Sequence, residues 1–234
     1  MLTKRLQACL ELVTPGGVAC DVGTDHAYLA VALLETGRCQ RVIASDIGEG
    51  PLQAARRTVQ QHGLQQRVQL VLSDRLQQVP SEGVTDVVLA GMGGETMIHI
   101  LSDCPWIRES TRTLILQPMT KIPLLRSWLA QQGFSILQEQ VLAESKHRYR
   151  VMQVRWSGTV QPLSFLEEQF GAVDWSSPVV WEDAKEKQRR FAAVAQQLQE
   201  AGKEEAQAYQ ALADCLAEKL AAEQQKGAET RCLQ

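Results

Sequence analysis

From residue 17 to residue 156, short β-branched and apolar runs alternate with stretches of helical periodicity. This alternation restricts the possible folds more than any single motif does. Residues 17–22 (GVACDV), 41–46 (RVIASD), 67–74 (RVQLVLSD), 86–91 (DVVLAG) and 113–118 (TLILQP) read as strands. Between them, residues 28–37, 51–63, 94–103 and 122–133 read as helices. Gly37 and Gly63 stop the first two, and Pro51 sits in the first turn of the second. Such alternation predicts an α/β fold with a mainly parallel sheet wrapped by helices. Residues 134–143 (FSILQEQVLA) and 149–156 (YRVMQVRW) break the rule, because no helix separates them. They predict an antiparallel hairpin at one edge and bring the strand count to seven.

After Trp156 the pattern changes. Residues 157–162 (SGTVQP) form a linker, Ser164 and Glu167 have capping-box spacing, and Ser177–Pro178 opens a helix. From there to Gln225 the chain is rich in Ala, Gln, Glu and Lys, interrupted at Ala201–Gly202. Trp181, Ala184, Phe191, Val194 and Leu198 fall on one helical face, and Tyr209, Leu212, Leu216 and Leu220 form a second stripe. Two antiparallel helices joined near Gly202 would bury both stripes in a coiled-coil-like arrangement. The expected domains are therefore residues 1–157 and 158–234. The second either covers the first or extends as a substrate arm, and residues 227–234 (GAETRCLQ) read as frayed.

Formal net charge is −3, so a phosphate-rich partner has to be met by a local basic patch. The six cysteines include no C-x-x-C pair. That disfavours a zinc site or disulfide framework and fits a reducing, cytoplasmic setting. The opening run MLTKRLQACLELV is amphipathic and charged, unlike a signal peptide, and no stretch has the apolar length of a membrane span. A monomer without metal or membrane is expected.

The loop CDVGTDHAYLA, Cys20–Ala30, begins like a nucleotide-binding turn and then departs from it. Asp25 and His26 stand where a dinucleotide-binding turn carries its next glycines. Asp21 ends a strand, Gly23 permits a sharp turn, and a helix starting near Asp25 or His26 points free N–H groups into the crevice at the strand ends. Two carboxylates suit a dianionic pyrophosphate poorly. They suit a ligand with a cationic end, such as the α-ammonium of methionine, while the N–H groups take its carboxylate. S-adenosylmethionine is such a ligand. Taken alone, Asp25 reads equally well as a helix cap.

Asp46, 25 residues past Asp21 and followed by Ile47, ends the second strand, where an acid hydrogen-bonds ribose hydroxyls. Asp74, followed by Arg75, ends the third strand, where an adenine amino group is commonly contacted. Three acids at three successive strand ends form a set more specific than any one of them. The fourth strand runs into AGMGGE. One glycine there serves a tight strand-to-helix turn. Three glycines around Met92 shape a surface on which backbone groups can approach a flat base.

Seven strands ending in a reversed hairpin resemble the layout of Rossmann-like methyltransferases. The blocks DVGTDHAYLAVAL, SDIGEGPLQAA, DVVLAGMGGETMIHIL, LILQPMTKIPLLRSWL and VLAESKHRYRVMQV occur in order. Together they closely resemble the bacterial TrmK family of tRNA adenine-N1 methyltransferases over residues 1 to about 157. The helical tail matches in kind but offers no motif. The resemblance implies S-adenosylmethionine as cofactor and methylation of N1 of adenine 22 in tRNA. The strand-end acids and the glycine block place the expected cofactor site at Asp21, Gly23, Thr24, Asp25, His26, Asp46, Ile47, Asp74, Arg75, Ala90 and Gly91; positive charge developing on the target base makes Asp25, Gly91 and Met92 the candidates for the reacting centre. His26 either steers the target ring or is a buried structural histidine. Two departures stand out: Met119 replaces an Asn common after Gln-Pro, and KHRYR is unusually basic.

For RNA contact, Lys4 and Arg5 lie near the crevice if the first helix covers it. Lys121, Arg126, Lys146, His147, Arg148 and Arg150 are candidates for one rim, and Lys185, Lys187, Arg189 and Arg190 for the tail. Each reads equally as solvated surface until convergence in space is shown. Aromatic content of 5% favours shape and backbone contacts over extensive base stacking. Three rival readings remain: a methyltransferase of a small molecule or protein, a non-catalytic cofactor-binding or coiled-coil scaffold, and an NAD oxidoreductase.

Overall fold

A computed structural model describes residues 2–232, with side chains as far as Gln224. Contacts divide the chain into two compact units, residues 1–162 and 163–234. The boundary falls after Pro162 rather than after Ser157. Ser157 and Gly158 still donate their N–H groups to the Gly133 carbonyl and so belong to the first unit.

In chain order the first unit comprises α1 (Lys4–Leu12), β1 (Gly17–Val22), α2 (Tyr28–Glu35), β2 (Cys39–Asp46), α3 (Glu49–Gln61), β3 (Val68–Leu72), β4 (Val84–Gly93), α4 (Gly94–Ser102), β5 (Thr113–Thr120), α5 (Ile122–Gln131), β6 (Phe134–Glu144) and β7 (His147–Trp156). Its seven-stranded sheet has the order β3-β2-β1-β4-β5-β7-β6. Only β7 is reversed: β1 through β5 pair in parallel, while β7 is antiparallel to both β5 and β6. This is the Rossmann-like methyltransferase layout that the element order predicts. Because β6 runs with β5, the β6–β7 turn lies at the same sheet edge as the C-terminal ends of β1, β2, β4 and β5.

The strand period of two builds a separate core on each face. Ala19, Val42, Ala44, Val88 and Ile115 point to one, where α1, α2 and α3 supply Leu10, Leu33 and Val59. Cys20, Ile43, Val87, Leu89, Leu114 and Leu116 point to the other, against Met97 and Leu101 of α4 and Leu125 and Leu129 of α5. Burial on both faces explains why these strands read as continuous apolar runs. At the start of β4 the buried Asp86 accepts from Thr14 N (3.0 Å), Thr14 Oγ1 (2.9 Å) and Thr85 Oγ1 (2.7 Å), which fixes the segment entering β1.

The second unit holds α6 (Phe165–Gln169), α7 (Pro178–Glu200) and α8 (Glu205–Cys232). The Ser164–Glu167 capping box forms as its spacing predicts. A short turn at 201–204 lets α7 and α8 pack along each other. Ala184, Phe191, Leu212 and Leu216 are buried, while Trp181, Val194, Leu198, Tyr209 and Leu220 are half-buried. Of the end that reads as frayed, α8 continues to Cys232, and residues 233 and 234 lie outside the described residues.

Candidate functional site

The loop after β1 is set by glycine. Gly23 has φ +76, and its N–H and that of Thr24 donate to the Ser45 carbonyl at the end of β2. A Cβ on Gly23 would collide with Met92 Cε, so this turn and the glycine block of β4 meet there. Asp21 is 6% exposed and accepts from Thr24 Oγ1 at 2.7 Å. Burial lifts its pKa to about 6, against the lowering effect of the Thr24 hydrogen bond, and the negative charge of Asp46 raises it further.

Two expectations for this loop are corrected. The helix begins at Tyr28, after Ala27 in the left-handed region (φ 57), and has no side-chain cap. Asp25 therefore does not cap it; its exposed carboxylate lies 3.4 Å from His26 Nε2. His26 is not a buried structural histidine. Its side chain is 45% exposed and stacks on Tyr28 with ring centroids 5.2 Å apart.

At the end of β2, Asp46 Oδ1 accepts from Gly48 N at 2.8 Å. This bond shapes the turn into α3, whose N-cap, Gly48, has no side chain to help. After β3, exposed Asp74 opens a turn: its carbonyl accepts from Gln77 N (3.2 Å), its N–H donates to Gln78 Oε1 (2.9 Å), and its carboxylate lies 3.8 Å from Arg75 Nε. Arg75, in the left-handed region at φ 57, pairs with Asp103.

A cleft of about 320 Å³ gathers these strand ends. Of the expected residues, Gly23, Asp46, Ile47, Asp74, Arg75 and Met92 line it, whereas Asp21, Thr24, Asp25, His26, Ala90 and Gly91 do not. Sequence reasoning missed Ser45, Ser73, Thr96, His99 and Ile100. Positions 96, 99 and 100 share one helical face directly after the glycine block, and that spacing is the signal that marks them. Ser45 Oγ is buried without a hydrogen bond, though it lies near enough to lower the pKa of the Cys20 thiol, which burial raises strongly. Two carboxylates at strand ends, an orphaned hydroxyl and a thioether wall fit a ligand bearing sugar hydroxyls, an amine and an apolar chain.

The glycine block differs from the expected turn. β4 continues through it to Gly93, with Ala90 paired to Gln117, Met92 to Pro118 and Gly93 to Thr120, and register shifts on either side of Met92. Gly91 has φ +78. Gly94 opens α4, and a Cβ there would lie 2.6 Å from the Lys121 carbonyl, so helix and β5 can approach only without a side chain. Buried Gln117 accepts from Gly91 N (3.0 Å) and Arg5 Nη1 (3.1 Å). Its Nε2 donates to the Pro118 carbonyl (3.2 Å) and to Met119 Sδ (3.5 Å), a weak acceptor.

Of the basic candidates, Lys4 anchors α1 to the end of β6: its N–H donates to Glu144 Oε1 (2.7 Å) and its Nζ to the Ala143 carbonyl (3.3 Å). Arg5, exposed Lys121 and exposed Lys146 stand at the crevice edge of the sheet, and half-buried Arg148 follows in β7. Arg126 and Arg150 do not line the rim. Both are buried and bind Glu139: Arg126 Nε at 3.1 Å and Arg150 Nη1 at 2.9 Å. Burial opposes ionisation of Glu139, but the two guanidiniums overcome it and hold its pKa below the ordinary carboxylate value. In the helical unit Lys185 pairs with Glu182 (2.9 Å) and Lys187 lies over the Phe170 ring (5.6 Å), leaving Arg189 and Arg190 as the exposed pair.

A mainly parallel sheet with one reversed strand, and a cleft that carries acids at the ends of β2 and β3, define the class of Rossmann-like methyltransferases. The methyltransferase domain family matches residues 2–152, and the chain belongs to that family. It is 32% identical over 151 residues to the tRNA (adenine(22)-N(1))-methyltransferase of Bacillus subtilis strain 168, a match that takes in 64% of this chain and 63% of that protein. A Streptococcus pneumoniae crystal structure, described as a candidate tRNA (m1A22) methyltransferase, superposes with a TM-score of 0.82 at 31% identity, covering 94% of this chain and 100% of the other. The same pneumococcal protein in complex with S-adenosyl-L-methionine gives a TM-score of 0.79 at 31% identity, covering 94% and 100%.

Proposed function

We propose that the chain is an S-adenosylmethionine-dependent methyltransferase that acts on N1 of adenine 22 in tRNA. The observation that carries this reading is the convergence of Asp46, Asp74 and Met92 on one cleft beside the Gly23 turn, in a chain similar to proteins described with that cofactor and reaction. Asp46 holds the ribose hydroxyls of the cofactor and Asp74 its adenine amino group. Asp21 and Asp25 provide negative charge for the methionine end. Bound there, S-adenosylmethionine supplies a methyl group on a sulfonium.

N1 of neutral adenine carries a lone pair in the ring plane, so no residue has to remove a proton before methyl transfer. The task of the chain is to hold the ring in line. Positive charge moves onto the ring as the bond forms, and the carbonyls of the Ala90–Gly93 segment, with the Asp25 carboxylate, offset it. N1 lies on the Watson–Crick edge, so the target base is presented unpaired. Arg5, Lys121, Lys146 and Arg148 meet tRNA phosphates beside the cleft, and Lys185, Arg189 and Arg190 of the helical unit, read as a separate domain, make phosphate contacts of their own. In this reading the protein works in the cytoplasm as a monomer without metal. Elution at the mass of one 26.0 kDa chain checks the monomer. Incubation with tRNA and labelled cofactor, followed by nuclease digestion and mass spectrometry, tests the reaction. N1-methyladenosine is expected; a label on protein or a small molecule alone would overturn the reading.

A further inference from the structure

We propose that Arg5, oriented by the buried amide of Gln117, is a phosphate clamp for the nucleotide presented to the cleft. The inference rests on the tRNA reading above and assigns Gln117 as a positioning residue. Gln117 is fully buried, and both ends of its amide are committed. Its nitrogen faces the Pro118 carbonyl and Met119 Sδ, which fixes its oxygen toward Gly91 N and Arg5 Nη1. The Gly91 N–H is thereby occupied, and the guanidinium is placed directly on the glycine. A Cβ at Gly91 would lie 3.1 Å from Arg5 Nη1. The next residue, Met92, lines the cleft.

Arg5 is half-buried, and among the described residues the only hydrogen bond of its guanidinium is to this neutral amide, with no ion pair. Most of its five donors are therefore unspent, in a fork suited to a planar or tetrahedral anion. The helix that carries it is bonded at its first turn, from Lys4 to Glu144 and Ala143, and packs Ala8, Cys9, Leu10 and Leu12 into the core. Charge decides what the fork takes. Positive charge develops on the target ring, so a guanidinium held against the ring would oppose the reaction. A phosphate flanking the target nucleotide is the complement, and Lys121 and Lys146 on the same sheet edge continue the basic track.

The test measures tRNA binding directly, by fluorescence anisotropy across a salt series, alongside steady-state kinetics and cofactor calorimetry. The variants are Arg5→Gln, Arg5→Lys, Gln117→Glu and the double Arg5→Gln/Gln117→Glu. Gln117→Glu keeps the acceptor for Gly91 N, gives up the donor to the Pro118 carbonyl and neutralises Arg5 with an internal carboxylate; it tests the clamp by a second route, and circular dichroism confirms that each variant is folded. Arg5→Gln and Gln117→Glu should each flatten the salt slope by about 1 and raise the KM for tRNA roughly tenfold, with kcat and cofactor affinity little changed. The double variant should flatten the slope no further, and Arg5→Lys should keep it while binding more weakly. An unchanged slope in folded Arg5→Gln, or lost cofactor affinity with tRNA binding intact, overturns the clamp. Wild-type protein that fails to bind tRNA overturns it too. Wild-type protein that binds tRNA with an Arg5-dependent slope yet transfers no methyl group leaves the clamp standing and overturns the reaction.

Discussion

Replacing Asp46 separates the bond its carboxylate makes from the contact proposed for it. One oxygen accepts from Gly48 N at 2.8 Å and shapes the start of α3; the proposed contact is with the hydroxyls of the cofactor ribose. Asp46→Ala removes both. A hydrogen bond to a charged group contributes about 1.5–3 kcal/mol, so loss of the ribose contact should weaken S-adenosylmethionine binding roughly ten- to a hundredfold. Loss of the Gly48 bond should lower stability by a comparable amount, because no side-chain cap replaces it. Asp46→Asn keeps an oxygen for Gly48 and removes the charge. It should hold most of the stability and still lose about tenfold in affinity. Calorimetric titration with the cofactor and thermal melting of both variants measure the two effects. Cofactor affinity equal to wild type in Asp46→Ala would remove this residue from the site and refute the placement of the ribose.

Other outcomes follow from the same geometry. Burial holds the Asp21 pKa near 6, above an unfolded aspartate, so by itself its ionisation favours the fold less as pH rises through 6. A cationic ligand end prefers the carboxylate, so cofactor affinity should increase as pH rises through 6 and then level off; Asp21→Asn should abolish that rise, and an identical profile in the variant would contradict the pairing. Gly23→Ala forces a side chain into Met92 at φ +76 and should cost stability by about 1–3 kcal/mol and close the cleft, read as a lower melting temperature and weaker cofactor binding. Glu139→Gln leaves two buried guanidiniums without their carboxylate and should destabilise by about 3–5 kcal/mol in denaturant titration. Because the Glu139 pKa is depressed, its stabilisation is present above the ordinary carboxylate range and should be lost as pH falls through the depressed value, with no such loss in the variant. Arg189→Ala/Arg190→Ala should flatten the tRNA salt slope by up to about 2 with cofactor affinity unmoved; an unchanged slope would leave the helical unit without an RNA role.

Much of the fold was legible because strand and helix periods differ and the buried strands are unbroken. Ala19, Val88 and Ile115 on one face and Cys20, Val87 and Leu114 on the other leave little freedom of register. The acids at 46 and 74 were legible for a related reason: a parallel sheet sends its strand ends to one crevice. What was hidden depends on pairing between distant segments. Arg126 and Arg150 look like surface charge until β6 places Glu139 between them. Gln117 reads as an unremarkable strand residue, and only the β4–β5 register puts its oxygen against Gly91 and Arg5. A helix start at Asp25 or His26 does not form because Ala27 adopts the left-handed conformation, which delays the helix to Tyr28 and leaves both side chains exposed. No local propensity signals that turn in an alanine.

The most direct measurement is a primer-extension map of tRNA after incubation with the protein and S-adenosylmethionine. A methyl group on N1 blocks the Watson–Crick edge, so reverse transcription stops at the modified base. A cofactor-dependent stop is expected at adenine 22, absent from a transcript carrying guanine there and absent with Asp46→Ala at limiting cofactor. Full-length extension through adenine 22, with methyl label recovered elsewhere or nowhere, would contradict it.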